Sequence, residues 1–206
     1  LDADFISVAY SPGRSIRVHP AFAAFWIKKN VGKEVLFTIA TRDMNKVAAQ
    51  SLLLGAALIN LENVVIVQGD RFSDNDPCET QNVTDIRPTE LIRLADFMNQ
   101  GLDYKGRELC PPSNFCLGAT IDLRHEIERE VNQTRKKIDN GAQFFLLQST
   151  FDPIQALEFI ENYERRYGER LSTPVFCGIQ VMNTNSSVFG DVPNWVDEDL
   201  QKGRAG

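Results

Sequence analysis

Short apolar runs rich in β-branched and aromatic residues alternate along this chain with longer stretches of helical periodicity. The first run is Asp4-Phe5-Ile6-Ser7-Val8-Ala9-Tyr10, closed by Ser11-Pro12-Gly13. Runs over 34–40, 64–67, 115–121, 143–148 and 174–181 repeat the theme. They are apolar on both parities, as strands covered on both faces should be. Between them, apolar positions recur at helical spacing. This predicts helices over roughly 19–30, 43–59, 88–99, 123–140 and 153–167, with a short one near 196–202. Pro88 and Pro153 suit a helical first turn. Asp152 suits an N-cap, and His19 sits at a helix start. Gly101 and Gly141 suit left-handed C-terminal caps. Phe22, Phe25 and Trp26, spaced on one helix face, are expected in the core, as are Phe144 and Phe145.

Strands joined through helices must run parallel, with right-handed crossovers. About six β–α units are counted, in one domain over residues 1–206. Two α/β architectures remain open: a doubly wound open sheet, or a TIM-type (β/α)8 barrel that is incomplete here. Neither G-x-G-x-x-G nor G-K-[ST] follows any run, which weakens the nucleotide-binding open sheets. Polar residues mark the C-terminal ends of several runs: Tyr10, Thr41, Asp70, Asp122 and Gln148. A barrel builds its active site at those ends.

Composition narrows the classes. Hydrophobic residues at 43% and charged residues at 24% are ordinary for a globular domain and exclude disorder as the dominant state. A net charge of −6 argues against a general nucleic-acid partner. No apolar run approaches the roughly 18 residues of a membrane span, and no signal peptide is visible. The four cysteines form no C-x-x-C pair and there are two histidines, so no structural zinc is expected. Cys116 and Cys177 read as small buried apolar residues. A reducing cytoplasm is the simplest compartment.

Asp70 is the most informative single residue. It follows Gln68-Gly69 at a strand end, where Gly69 lets a ligand approach the backbone. Its carboxylate could stabilise a developing cation or relay a proton, or it could close an Asx turn. The Gln148 amide, able to donate and accept at once, suits the edge of a heterocycle or a neighbouring backbone group. Arg135-Lys136-Lys137 reads as a solvated helix face or as a phosphate contact. His125, just past run four, could reach a ligand or lie on the surface.

These residues form ordered blocks. Thr41-Arg42-Asp43-Met44-Asn45, Gln50-Ser51-Leu52-Leu53-Leu54-Gly55-Ala56 and the stretch from Asn63 to Asp70 resemble the central block of the methylenetetrahydrofolate reductases. Phe115-Cys116-Leu117-Gly118-Ala119 resembles a later strand of that family. The stretch from Lys137 through Gln148 to Phe151-Asp152 resembles the block after it. The similarity runs in order along nearly the whole chain.

The resemblance implies a (β/α)8 barrel that binds FAD at the C-terminal strand ends and reduces 5,10-methylenetetrahydrofolate to 5-methyltetrahydrofolate. It makes Asp70 the acid that supports the iminium form of the substrate and Gln148 the contact to the pterin, so these two are the catalytic and folate-binding candidates. It assigns flavin contacts to Ala9, Thr38, Val67, Gln68, Gly69, Asp70, Ala119, Thr120, Glu130 and Lys137. It also implies a nicotinamide or a reduced iron–sulfur protein as electron donor.

The chain departs from the family pattern where Thr38 replaces a histidine and Thr41 a cysteine. The family's first strand carries a glutamate in E-x-x-P-P, and run one here corresponds to the family's second strand. A barrel short of strands has open edges. We expect a fragment of a longer chain, the alternatives being a partner chain or second copy that completes the barrel and a reduced homologue that binds folate or flavin without turnover. A barrel methyl-folate transferase is a further alternative.

Overall fold

A computed structural model describes residues 2–72, 80–182 and 192–203. Six strands, β1 (Phe5–Val8), β2 (Glu34–Ala40), β3 (Asn63–Val67), β4 (Cys116–Ile121), β5 (Phe144–Leu147) and β6 (Val175–Cys177), pair in chain order, all parallel. Helices α1 (Pro20–Val31), α2 (Lys46–Leu58), α3 (Pro88–Asn99), α4 (Ile127–Asp139) and α5 (Pro153–Tyr167) connect them, and α6 (Asn194–Gln201) follows. Local signals set the helix starts. His19 caps α1 by accepting the Ala21 N–H, Asn45 caps α2 through Ala48, and Asp152 caps α5 through Ile154. α2 begins later than its periodicity predicts because Thr41–Asp43 forms a separate 3-10 turn.

The sheet curls into a half-barrel. Phe5 on β1 and Phe176 on β6 belong to opposite edge strands, yet their rings meet edge to face with centroids 5.2 Å apart. A flat sheet could not bring them together. The incomplete TIM-type architecture therefore holds, and the open doubly wound sheet does not.

The two faces of the sheet are unequal. On the convex side Phe37, Ile39, Val64, Ile66, Leu117, Ile121 and Phe145 pack with the helices into one continuous core. On the concave side Leu36, Val65 and Phe144 form a smaller cluster, joined by Phe5, Val67, Cys116 and Leu146. Gly118 is required there: a Cβ would stand 2.2 Å from the Phe144 ring. At the N-terminal end this face borders a cavity of about 420 Å³ lined by Phe5, Leu36, Cys116, Phe144 and Phe176.

Three expectations are corrected. Phe22, Phe25 and Trp26 are exposed, Phe22 at 65%, because α1 packs on β2 and β1 at one end of the sheet and no other helix packs closely against it among the described residues. Cys177 is exposed rather than buried. The sixth run, expected to reach Val181, is paired only over Val175–Cys177. β6 is an edge strand, and Ile179 and Val181 beyond it stand in solvent. Phe144 and Phe145 are buried as expected.

Candidate functional site

Parallel pairing carries every C-terminal strand end to one rim. The most tightly built part joins β2 to β3 through Arg42, which is only 4% exposed. Its Nε and Nη2 donate to the two Asp43 carboxylate oxygens at 2.6 and 2.7 Å. Nη1 donates to the main-chain carbonyl of Asp70 at 2.6 Å. The guanidinium also lies over the Phe72 ring, 4.4 Å from its centroid. A buried cation is tolerated only with such pairing. The Arg42 backbone adds two bonds: its N–H donates to Gln68 at 3.0 Å, and its carbonyl accepts from Val83 at 2.7 Å. Gly69 makes the close approach feasible. It has φ +83°, and a Cβ there would meet Ala40 Cβ at 3.1 Å.

Tyr10, just past β1, shares a hydrogen bond with Asp43 and joins this network. Burial, reinforced by the Asp43 charge and that bond, pushes the phenol up to about 12. Burial alone would raise the Asp43 carboxyl, but hydrogen bonds from Arg42 and Tyr10 hold it below the usual range. Asp70 itself is exposed. Arg42 grips its carbonyl, and among the described residues no hydrogen bond engages its carboxylate. The Asx-turn alternative therefore has no support.

Gln148 sits at the β5 end. Its N–H donates to Ile121 at 2.9 Å, and it continues the concave parity of Phe144 and Leu146. Its side-chain amide is exposed and has no partner among the described residues. β3 and β5 both flank β4, so two inter-strand spacings, about 10 Å, separate these ends.

The basic cluster on α4 divides. Arg135 turns outward to Asp139 and Glu169. Lys137 turns inward, where Nζ donates to the Thr120 carbonyl at 2.6 Å and to Glu130 Oε1 at 3.2 Å. The pair is largely sealed, with side-chain exposures of 12% for Lys137 and 6% for Glu130. Nearby, Asp122 is held by Arg124 at 2.6 Å. Burial would raise the Asp122 carboxyl, but the Arg124 bonds keep it low. His125 is exposed, 3.9 Å from Asp122.

The remaining candidates separate by face. Thr38, Val67 and Thr120 lie on the concave side of β2, β3 and β4, and Ala9 is exposed just past β1. Gln68 and Gly69 form the β3 end. Ala119 is fully buried in the convex core, so its side chain cannot line the rim. Arg42 and Asp43 lie in the Thr41–Asn45 block of the resemblance but have no site role in the sequence reading. An adjacent Arg-Asp pair immediately after a strand is the signal that could have marked them. Among the described residues, no group of three or more His, Cys, Asp and Glu side chains could hold a metal ion. No helix among them is long and apolar enough to cross a membrane.

A parallel β/α half-barrel with charged side chains at its C-terminal strand ends places the chain in the α/β class, as an incomplete TIM-type barrel. The family model for methylenetetrahydrofolate reductase matches residues 1–197, and the chain belongs to that family. An uncharacterised protein from Clostridium thermocellum that binds two copies of 5-methyl-5,6,7,8-tetrahydrofolic acid is similar in fold. It has a TM-score of 0.67 at 12% identity, over 100% of this chain and 65% of that one. A 2,3-dimethylmalate lyase of the PEP mutase/isocitrate lyase superfamily has a TM-score of 0.56 at 15% identity, over 84% of this chain and 58% of that one. The chain thus spans less than two thirds of either protein, and at these identities the likeness is one of fold. No curated protein sequence matches.

Proposed function

We propose that the rim binds a reduced folate between Asp70 and Gln148 and that the protein reduces 5,10-methylenetetrahydrofolate to 5-methyltetrahydrofolate with FAD as hydride carrier. The observation that carries this reading is a pair of polar side chains, one carboxylate and one amide, that make no hydrogen bond among the described residues and stand at the ends of strands flanking β4. Fold alone would not suffice, because one barrel supports many chemistries.

The donor set suits a flavin. Hydroxyls of Thr38 and Thr120 lie on the concave side, main-chain groups of Val67–Gly69 are at the β3 end, and Lys137 brings an ammonium to the Thr120 carbonyl. Glu130 and Lys137 are an acceptor and a cation of the kind a polyol and a phosphate use, but here they are spent on each other and on the Thr120 carbonyl and would have to part to hold the group. FAD, when bound, supplies the hydride. The chain supplies the rest. Asp70 places negative charge where the substrate develops iminium character, so it favours the transition state over the ground state. Gln148 reads the pterin edge by donating and accepting. Val67 and Leu146 add apolar surface on the concave side beside these strand ends.

The test is anaerobic. FAD-loaded protein is reduced and mixed with 5,10-methylenetetrahydrofolate. Oxidised-flavin absorbance should return as 5-methyltetrahydrofolate forms in equal amount. A nicotinamide and a reduced iron–sulfur protein are then compared as donors. The structural neighbour's two bound folates favour a second reading, a folate-binding protein without turnover. Saturable folate binding by a protein that takes up no FAD would select it.

A further inference from the structure

We infer that Arg42 is a positioning residue that fixes the backbone at Asp70, and that Asp43 and Tyr10 hold its guanidinium in place for that purpose. The inference rests on the proposed role of Asp70. It concerns a residue that touches neither substrate nor cofactor in that reading.

A single surface ion pair would need no such explanation. Arg42 instead makes six separate contacts, three of them on one short segment. Nη1 holds the Asp70 carbonyl, and the backbone N–H holds the Gln68 carbonyl two residues earlier. The ring of Phe72, two residues later, lies under the guanidinium. Residues 68, 70 and 72 are thus each gripped by the same side chain or its backbone. The Asp43 fork fixes the guanidinium plane, which a bidentate carboxylate does and a point charge would not. Tyr10 fixes Asp43 from β1. On the far side, Val83 donates to the Arg42 carbonyl, and Asn82 pairs both ways with the Phe72 backbone at 3.0 and 3.2 Å. The return of the long β3–α3 connection is therefore docked on the same residue.

The consequence is directional. With its carbonyl pinned and Gly69 set at positive φ, the backbone of Asp70, and so the point from which its carboxylate reaches the rim, is held in place. A carboxylate whose anchor is already in place stabilises a cation with less reorganisation, and a misplacement of about 1 Å costs on the order of 100-fold in rate.

The test compares Arg42→Lys with wild type. Lysine keeps the charge and loses the planar fork. We expect kcat for folate reduction to fall about 10- to 100-fold, with KM for folate changed by less than about threefold. Hydrogen exchange, read without any ligand, should quicken at the amides of positions 42, 72 and 83 and stay unchanged in β4 and β5. In an Asp70→Asn background, Arg42→Lys should reduce the residual rate no further, because the two act as one unit. Multiplying losses, unchanged exchange at those three amides, or a loss accounted for by the fraction unfolded would overturn the inference. Asp43→Asn, which keeps a hydrogen-bonding side chain there, should reproduce a weaker form of the same exchange pattern, and a wild-type pattern would count against it. If wild-type protein neither binds nor reduces folate, the functional reading falls, while the exchange data still decide whether Arg42 fixes this segment.

Discussion

The β3 and β5 strand ends reach the same rim but are built in opposite ways. At β3, a buried arginine, a carboxylate, a phenol and an aromatic ring surround the backbone that carries Asp70. At β5, Gln148 has one backbone hydrogen bond and a bare amide. The difference fits the roles proposed for the two groups. A carboxylate acting on a developing charge gains from fixed orientation, because reorganisation at the moment of reaction costs rate. An amide reading a heterocycle edge can rotate into register on binding and needs less support.

The largest way to break this contrast is Asp43→Ala. It leaves Arg42 buried without its partner, a change that costs about 3–5 kcal/mol. The low end applies, because the Asp43 side chain is 26% exposed. Gln148→Glu should change stability by less than about 0.5 kcal/mol. Urea denaturation of the two variants side by side measures both. Next in size is Asp70→Asn. Turnover should fall about 100-fold, with melting temperature and FAD content unchanged, and normal turnover would remove Asp70 from the chemistry. Gln148→Glu should then weaken folate binding about tenfold, near 1.4 kcal/mol, by setting a charge beside the pterin, and unchanged folate saturation would refute its role.

The smallest effect is on pH. The folded phenol of Tyr10 is raised to about 12 from an ordinary 10, so the folded state keeps its proton longer than the unfolded chain. Its stabilising contribution is complete below about pH 10 and is lost as pH rises toward 12. Asp43 is depressed, so its contribution is present above the ordinary carboxylate range and disappears as pH falls through the folded value. Tyr10→Phe should flatten the alkaline limb of a stability–pH curve. Gln148 variants that add no titrating group should leave both limbs in place.

The strand–helix rhythm was legible because each covered strand is apolar on both parities and each helix carries its own stop signals. β2, α3 and α5 fall where the pattern puts them. α4 starts at Ile127 rather than 123 because Asp122 and Arg124 organise a turn first. The core placement of Phe22 and Trp26 failed for a different reason. Periodicity reports an apolar face but not whether a neighbour covers it, and α1 stands at an open edge. Asp70 and Gln148 were legible as polar endings to apolar runs. The role of Arg42 was not, since its partner carbonyl lies 28 residues away and an Arg-Asp pair after a strand looks like any solvated ion pair. The Arg135-Lys136-Lys137 cluster concealed two opposite fates, outward for Arg135 and inward for Lys137, because sequence shows proximity along the chain and not which side of a helix meets the sheet.

Equilibrium titration of the full chain with 5-methyltetrahydrofolate, followed by intrinsic fluorescence, most directly tests a folate seat between the two strand ends. The account predicts saturable binding that Asp70→Asn and Gln148→Glu each weaken and that their combination nearly abolishes. Binding indifferent to both substitutions, or no saturable binding, would contradict it.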